Sequence, residues 1–211
     1  LSISLGIGAI LLTSCSDSDE PNPQASANDN AIRCTANTEL SRAGDITTNN
    51  LTAFNVYAYT GTSATPTLFM DNVSVTKTSN NSWTYSPLQY WPAKETVDFY
   101  AFAPASWVGE NGPLKPVAYD SYPGTEDIIY SVSPDLKGNS GAPNAQVVFN
   151  FRHALAKVTV KMSSSNANLS VRVTNVVMHN LMTKGNFTFP SASTTGAATA
   201  ENIGTWSDQN T

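Results

Sequence analysis

The chain has few of the residue types that build metal sites and disulfide frameworks. Its 211 residues include only two cysteines and two histidines. Neither His153 nor His179 has a second His, Cys or acidic residue at the spacing of zinc ligands. Two cysteines allow one disulfide at most. The sequence therefore predicts no metal site, no cofactor and no disulfide-held fold.

Charged residues are also scarce, at 13% of the chain, and the formal net charge is -5. Nucleic-acid binding depends on phosphate neutralisation by Lys and Arg, so this balance argues against it. The chain instead contains 24 Ser, 24 Thr and 21 Asn, a neutral polar excess that suits extended, turn-rich structure. Because 40% of the residues are hydrophobic, the chain is too apolar to be disordered.

Catalytic motifs are missing as well. The sequence has neither a Gly-x-Ser-x-Gly nucleophile elbow nor a Gly-rich phosphate-binding loop. Glu126 and Asp127 are neighbours along the chain and do not form a facing acid pair. We interpret His153 as a hydrogen-bonded structural residue and predict that the protein is not an enzyme.

The longest apolar run stands at the start of the sequence. Residues 1–12 (LSISLGIGAILL) carry no charge and are too few to span a bilayer, which takes about 20 apolar residues. They have the length of the apolar part of a signal peptide. No Met and no basic residues precede them, so we expect the sequence to begin inside that peptide.

A lipid-attachment motif follows this apolar run. Leu12-Thr13-Ser14-Cys15 resembles the lipobox of bacterial lipoproteins, in which the Cys thiol receives the acyl-bearing group. We predict a signal peptide at residues 1–14 and lipid attachment, including palmitate, at Cys15. Two or more acyl chains anchor a protein stably to a membrane. This anchor leaves Cys34 without a disulfide partner.

Residues 16–20 (SDSDE) are acidic and come directly after Cys15. They resemble the export tag that sends lipoproteins to the cell surface in Bacteroidetes-type Gram-negative bacteria. The alternative is a solvated spacer, which acidic runs commonly are. Residues 15–30 together are interpreted as a disordered or lipid-anchored linker, and the expected location is the outer face of the outer membrane.

The rest of the chain, from residue 31 to residue 190, is predicted to be all-β. Apolar and polar residues alternate with a period of two, which is typical of half-buried strands, and turn-forming clusters separate the runs. The apolar residues of the predicted strands are Ile32, Cys34 and Ala36; Phe54, Val56 and Ala58; Val97, Phe99 and Ala101; Val147, Phe149 and Phe151; Val158, Val160 and Met162; Leu169, Val171 and Val173; and Phe187 and Phe189.

Two further features complete the predicted fold. Residues 106–136 are interpreted as a Pro-rich crossover with one strand at 127–132, and residues 154–157 as a single helical turn. Seven or more short strands favour an antiparallel sandwich of two sheets. Cys34 alternates with polar neighbours, so we expect a buried strand thiol.

Several blocks of this sequence resemble the fimbrillin (Mfa-like, type V pilin) family of surface lipoproteins. In order they are FNVYAY at 54–59, WTY at 83–85, YWP at 90–92, VDFYAFAP at 97–104 and FNFRHALAKV at 149–158. The resemblance covers about residues 32 to 189. It implies two transthyretin-like Greek-key sandwich domains, the first at 31–190 and the second beginning within 191–211.

The resemblance also implies a fimbrial subunit or a fimbria-associated adhesin that assembles with other subunits by strand donation. In that process a protease cuts after an Arg near the N-terminus, one strand leaves, and a neighbour's strand fills the groove. Arg33 and Arg42 are the two candidates. We favour Arg42, because a cut there releases the strand at 32–36 together with the lipid anchor, whereas Arg33 lies inside that strand.

The alternative interpretation is a monomeric surface lipoprotein that binds a glycan or another host ligand. Exposed aromatic residues would form the binding surface, with Trp83, Trp91 and Trp107 as candidates. An acidic ligand would instead use a basic stripe on one sheet face, composed of Arg152, Lys157, Lys161, Arg172 and Lys184. The simpler interpretation of those charges is that they prevent pairing at exposed strand edges.

Overall fold

A computed structural model describes residues 30–38, 46–122, 126–138, 146–166, 168 and 170–211. These residues form ten strands and no helix, so none of them belongs to a helix that could cross a membrane. The strands are β1 (Arg33–Thr38), β2 (Ala53–Thr62), β3 (Thr65–Lys77), β4 (Trp83–Thr84), β5 (Val97–Ala103), β6 (Val117–Asp120), β7 (Ile129–Leu136), β8 (Gln146–His153), β9 (Lys184–Thr188) and β10 (Thr205–Asn210).

The strands form two sheets, which confirms the prediction of an all-β protein. A seven-stranded sheet has the order β1-β8-β7-β5-β2-β3-β4, and a three-stranded sheet has the order β10-β9-β6. Neighbours in both sheets are antiparallel, with one exception. Strand β1 runs parallel to β8, so the prediction of a wholly antiparallel arrangement was wrong at this edge.

The two cores lie on opposite faces of the central strands β2, β5 and β7. In β5 the side chains of Val97, Phe99 and Ala101 enter the first core, whereas Phe102 enters the second. Alternation along a strand sends successive side chains to opposite faces, and here both faces are covered. These strands are therefore the rigid centre of the fold.

The first core lies on one face of the large sheet and is rich in phenylalanine. Phe54 packs edge-on against Phe149 at 5.2 Å and against Phe151 at 5.1 Å between ring centroids. Such pairs contribute about 0.5–1.5 kcal/mol beyond the area they bury. Because Phe54 lies on β2 and the other two rings lie on β8, these contacts tie the rim of the sheet to its centre.

The second core lies between the large sheet and the three-stranded sheet. Trp107 packs against Phe187 and Phe189 of the chain around β9, at centroid distances of 5.1 and 5.5 Å. Tyr130 of β7 meets the same Phe187 at 4.9 Å. The small sheet is therefore held mainly by aromatic contacts.

Residues 154–183, where the structure describes them, join β8 to β9 without forming a strand. The predicted strands around Val160 and Val171 are therefore wrong, and so is the helical turn at 154–157. The Val160 side chain is 52% exposed and that of Val171 is 62% exposed. Alternation shows which side chains share a face, but it does not supply a neighbouring strand to pair with. Leu169 lies outside the described residues.

Sequence analysis also missed strands. Strands β3 and β4 were not predicted, the crossover predicted at 106–136 contains β6 in addition to β7, and residues 205–210 form β10. Strand β6 has four residues and lies between turns, so its alternation is too short to stand out.

Replacing Phe99 by Ala is expected to lower the free energy of unfolding by about 3–5 kcal/mol, because it leaves a cavity among fully buried rings. Chemical denaturation measures this change. Leu68→Ala is the matched control, since that side chain is 49% exposed and its loss should cost less than about 0.5 kcal/mol. Equal losses for the two variants would contradict the assignment of the first core.

Candidate functional site: the N-terminal strand and its groove

Strand β1 lies at the rim of the large sheet and closes the first core. It pairs in register with β8, from Arg33 opposite Gln146 to Thr38 opposite Phe151. Cys34 and Ala36 point into the core, and Ile32, just before the strand, is fully buried. The structure confirms this strand and its buried Cys34 thiol, both of which were predicted from the alternation of apolar and polar residues. Removing β1 would expose apolar side chains of β8 and one edge of its backbone.

A strap of residues 85–91 holds residues 30–32, which lead into β1. The Ile32 N–H donates to the carbonyl oxygen of Gln89 at 2.8 Å, and the Tyr85 hydroxyl donates to the carbonyl oxygen of Ile32 at 2.8 Å. Asn30 and Trp91 exchange two further hydrogen bonds of 2.8 and 3.0 Å. The strap therefore fixes the point at which the chain enters β1.

Hydrogen bonds hold the residues on both sides of the interval that follows β1. Thr38 N–H donates to the Thr48 hydroxyl at 3.0 Å. Ile46 N–H donates to a carboxylate oxygen of Asp127 at 3.1 Å, and the same oxygen lies 2.8 Å from Nδ1 of His153. His153 is thus a hydrogen-bonded residue at the end of β8. The interval 39–45 is therefore bounded at both ends by hydrogen bonds.

The Cys34 thiol reports how well β1 is buried. Burial raises its pKa from 9.0 to about 12, because the thiolate would lose its hydration inside the core. The thiolate is the nucleophile in thiol chemistry, so Cys34 is inert while β1 stays in place. Burial likewise raises the pKa of Tyr85 from 10.0 to about 12.

The structure describes one of the predicted site residues and not the other two. Arg33 lies on β1 and is partly exposed. Arg42 and Cys15 lie outside the described residues, so cleavage and lipid attachment remain predictions. The interval that contains Arg42 connects β1 to β2, and a cut there would separate β1 from the rest of the chain. No cluster suited to a metal ion occurs among the described residues.

The aromatic binding surface of the alternative interpretation is absent from these positions. Trp91 and Trp107 are each 5% exposed and belong to the two cores. Trp83 is partly buried and its ring lies 4.9 Å from that of Phe54. The prediction that these side chains are exposed was wrong, because large aromatic residues fill cores as readily as they form binding faces.

The prediction of a basic stripe on one sheet face was also wrong. Arg152 is buried and bonded to backbone carbonyls, and Lys184 forms an ion pair of 3.4 Å with Asp120. Lys157, Lys161 and Arg172 lie between β8 and β9, where none of the described residues forms a strand. These five residues therefore share no sheet face.

A shallow polar depression lies on the three-stranded sheet. Its volume is about 360 Å³, and its lining includes Asp120, Lys184, Asn186 and Asp208. Asn186 donates to Asp208 at 2.8 Å, and Lys184 pairs with Asp120. The polar groups thus bond to one another across the depression.

The raised pKa values predict that the protein loses stability in alkali. An acid whose pKa is higher in the folded protein than in the unfolded chain ionises first in the unfolded chain. The stability that its neutral form contributes is therefore complete below the unfolded pKa and is lost as the pH rises through the folded pKa. For Cys34 this window runs from pH 9.0 to about 12, and for Tyr85 from 10.0 to about 12.

Denaturant unfolding at several pH values measures this loss. Between pH 9 and pH 10 we expect the ionisation of Cys34 alone to lower the free energy of unfolding by about 1 kcal/mol. The fall in Cys34→Ala across the same interval should be smaller than that of the parent by this amount, because only the buried tyrosines still contribute. An identical fall in both proteins would show that the thiol is not responsible.

Comparison with known proteins adds family information to this geometry. A family model described as "Fimbrillin-like" matches residues 41–211, which is most of the chain. No curated protein and no solved structure was found to match. The match includes β2 to β10 and begins just before the Arg42 position that precedes them. It confirms the resemblance seen in the sequence blocks, and the chain belongs to the fimbrillin-like family.

Proposed function

We propose that the protein is a structural subunit of a bacterial fimbrium, held at the outer membrane by lipid on Cys15. It joins other subunits when a strand from a neighbour replaces β1. Membership of a family of structural pilus subunits supports this function and a location in surface fimbriae. It also argues against an enzymatic role.

One observation carries the proposal. Strand β1 is a rim strand that covers an apolar groove, and the connection that joins it to β2 contains Arg42. Cleavage after Arg42 would turn β1 into a separate peptide held only by non-covalent contacts. An incoming strand could then satisfy the β8 backbone by hydrogen bonds and fill the groove with alternate side chains.

The proposal also includes the type of sandwich and the division into domains. We assign the two sheets to the transthyretin-like Greek-key sandwich that the family resemblance implies. The division into a domain at 31–190 and a second unit at 191–211 stays a prediction. Residues 205–210 pair with β9, and Thr194 is buried in the body of the fold, so both parts pack together.

The parallel pairing of β1 with β8 specifies what a donor strand must look like. The buried positions of the acceptor groove are those of Ile32, Cys34 and Ala36. A donor therefore needs small or medium apolar residues at alternate positions, with polar residues between them. A bulky aromatic residue at the Ala36 position would clash with the β8 rings, because the core there is close-packed.

Cleavage is tested by comparing Arg42→Ala with Arg33→Ala in cells that assemble fimbriae. Arg42→Ala is expected to keep its N-terminal segment and to lose the heat-resistant ladder of polymers in denaturing gels. Arg33→Ala should cleave and polymerise like the parent protein, because Arg33 lies within a paired strand. Normal ladders from Arg42→Ala would reject this cleavage site, and a protein that stays monomeric and binds a polysaccharide column would favour the ligand-binding alternative.

Lipid attachment is tested with Cys15→Ala. Metabolic labelling with a palmitate analogue is expected to mark the parent protein and to leave the variant unmarked. The variant should also leave the membrane fraction, because its apolar anchor is missing. Cys34→Ala is the control and should label normally. Labelled Cys15→Ala protein would refute the predicted anchor.

A further inference from the structure

Strand β8, which carries β1, is itself attached to the sheet by few backbone contacts. Its ladder with β7 has two residue pairs among the described residues, Ile129 with His153 and Tyr130 with Arg152. On its other side β8 pairs with β1 along six residues. The backbone ladder that joins the β1–β8 ribbon to the central sheet is therefore confined to one end. Elsewhere the ribbon is held by the β8 rings in the first core and by a bond of 3.2 Å from the Ser133 hydroxyl to the carbonyl oxygen of Val148.

Residues 193–196, which we call the wedge, fill the gap between β7 and β8 beyond that end. The Thr194 N–H donates to the carbonyl oxygen of Val132 on β7 at 3.0 Å. The Thr194 hydroxyl donates to the carbonyl oxygen of Asn150 on β8 at 2.7 Å. The same hydroxyl accepts the Val132 N–H at 3.2 Å and lies 3.0 Å from the Ser131 hydroxyl. One threonine thus bridges both strands, and its side chain is 2% exposed.

Arg152 holds the wedge from the side of β8. Its Nε and Nη2 donate to the carbonyl oxygen of Thr194 at 3.3 and 3.2 Å, and Nη2 also donates to the carbonyl oxygen of Gly196 at 2.8 Å. The residue is 3% exposed. A buried guanidinium is costly unless its donors are bonded, so withdrawal of the wedge would remove three of those bonds at once. Asn150 adds a bond of 2.9 Å to the Thr195 hydroxyl.

We propose that the wedge is a lock on the β1–β8 ribbon: while residues 193–196 are docked, the ribbon stays on the sheet, and when they withdraw, the ribbon loosens at that end and β1 becomes more accessible. Thr194 and Arg152 are positioning residues in this lock. The lock couples the C-terminal part of the described chain to its N-terminal strand, and its meaning for assembly depends on the proposed function.

The coupling has a direct consequence for a subunit in a fibre. A neighbouring chain that binds or displaces residues 193–196 would favour the loosened state and so promote exchange of β1. A ligand shifts such an equilibrium only by the difference between its affinities for the two states. The wedge provides that difference, because its polar bonds exist in one state only.

The Cys34 thiol measures opening of the ribbon directly, since it is 7% exposed and lies on β1 opposite Val147. The full chain carrying Cys15→Ser has Cys34 as its one thiol. In this background Thr194→Val keeps the shape of the side chain but removes the hydroxyl. We expect native-state labelling of Cys34 by iodoacetamide to rise about tenfold, because the bridge between β7 and β8 is lost.

Two controls separate the lock from general destabilisation. Thr194→Ser keeps the hydroxyl and should label close to the parent rate. Val117→Ala lies in the second core on β6 and should lower the melting temperature without a comparable rise in labelling. Hydrogen exchange of β5 amides should be the same in the parent and Thr194→Val, whereas β8 amides should exchange faster in the variant.

An unchanged Cys34 rate in Thr194→Val, or an equal rise in Val117→Ala, would overturn the lock. If Thr194→Val does not fold, Arg152→Lys in the same background decides the matter by the same comparison, because it keeps the charge but loses the forked grip on Thr194. Labelling does not involve assembly. Faster labelling in a protein that never polymerises would keep the lock and reject the fimbrial function, and unchanged labelling in a protein that polymerises would do the reverse.

Discussion

Backbone hydrogen bonding at the rim of a sheet is the constraint on which the rest of this structure depends. A buried amide or carbonyl needs a partner, and a rim strand has a sheet neighbour on one side only. Strand β1 pairs with β8 on one side, and the 85–91 strap bonds the residues just before it. Its apolar side chains meanwhile cover a groove lined by the rings of β8. Any segment that replaces β1 has to satisfy both demands together.

The fold divides into a rigid centre and a rim that is joined to it more loosely. Strands β2, β5 and β7 are buried on both faces and join two aromatic cores. The rim consists of β8 and β1. Beyond the first two residue pairs of β7 and β8 it is attached by side-chain bonds from Thr194, Arg152 and Ser133 and by the β8 rings in the first core. Side-chain bonds of this kind can be broken singly, whereas central strands separate only at the cost of both cores. The arrangement suits a subunit that keeps its body intact while its edge is exchanged.

Much of the central sheet was predictable because the alternation of its strands is long and its apolar residues are large. The strands around Val56, Phe99 and Phe149 and the buried thiol of Cys34 were predicted from this pattern and confirmed. The burial of the tryptophans was not predicted, since a Trp side chain serves equally well in a core and on a binding face. The prediction of strands around Val160 and Val171 was wrong for another reason. Alternation shows that a segment is able to pair, but it does not show whether a partner strand is present.

The sequence by itself determined the class of structure and the family, through its short alternating runs, its low charge and its FNFRHALAKV block. It also showed which residues of β1 face inward, since that depends on local periodicity alone. Only the tertiary structure decided that β1 runs parallel to β8, that the 85–91 strap holds the residues before β1, and that Thr194 reaches between β7 and β8. These features join residues that are 44 to 113 positions apart. Contacts of that range arise from the packing of whole sheets, and nothing in the local order of residues specifies them.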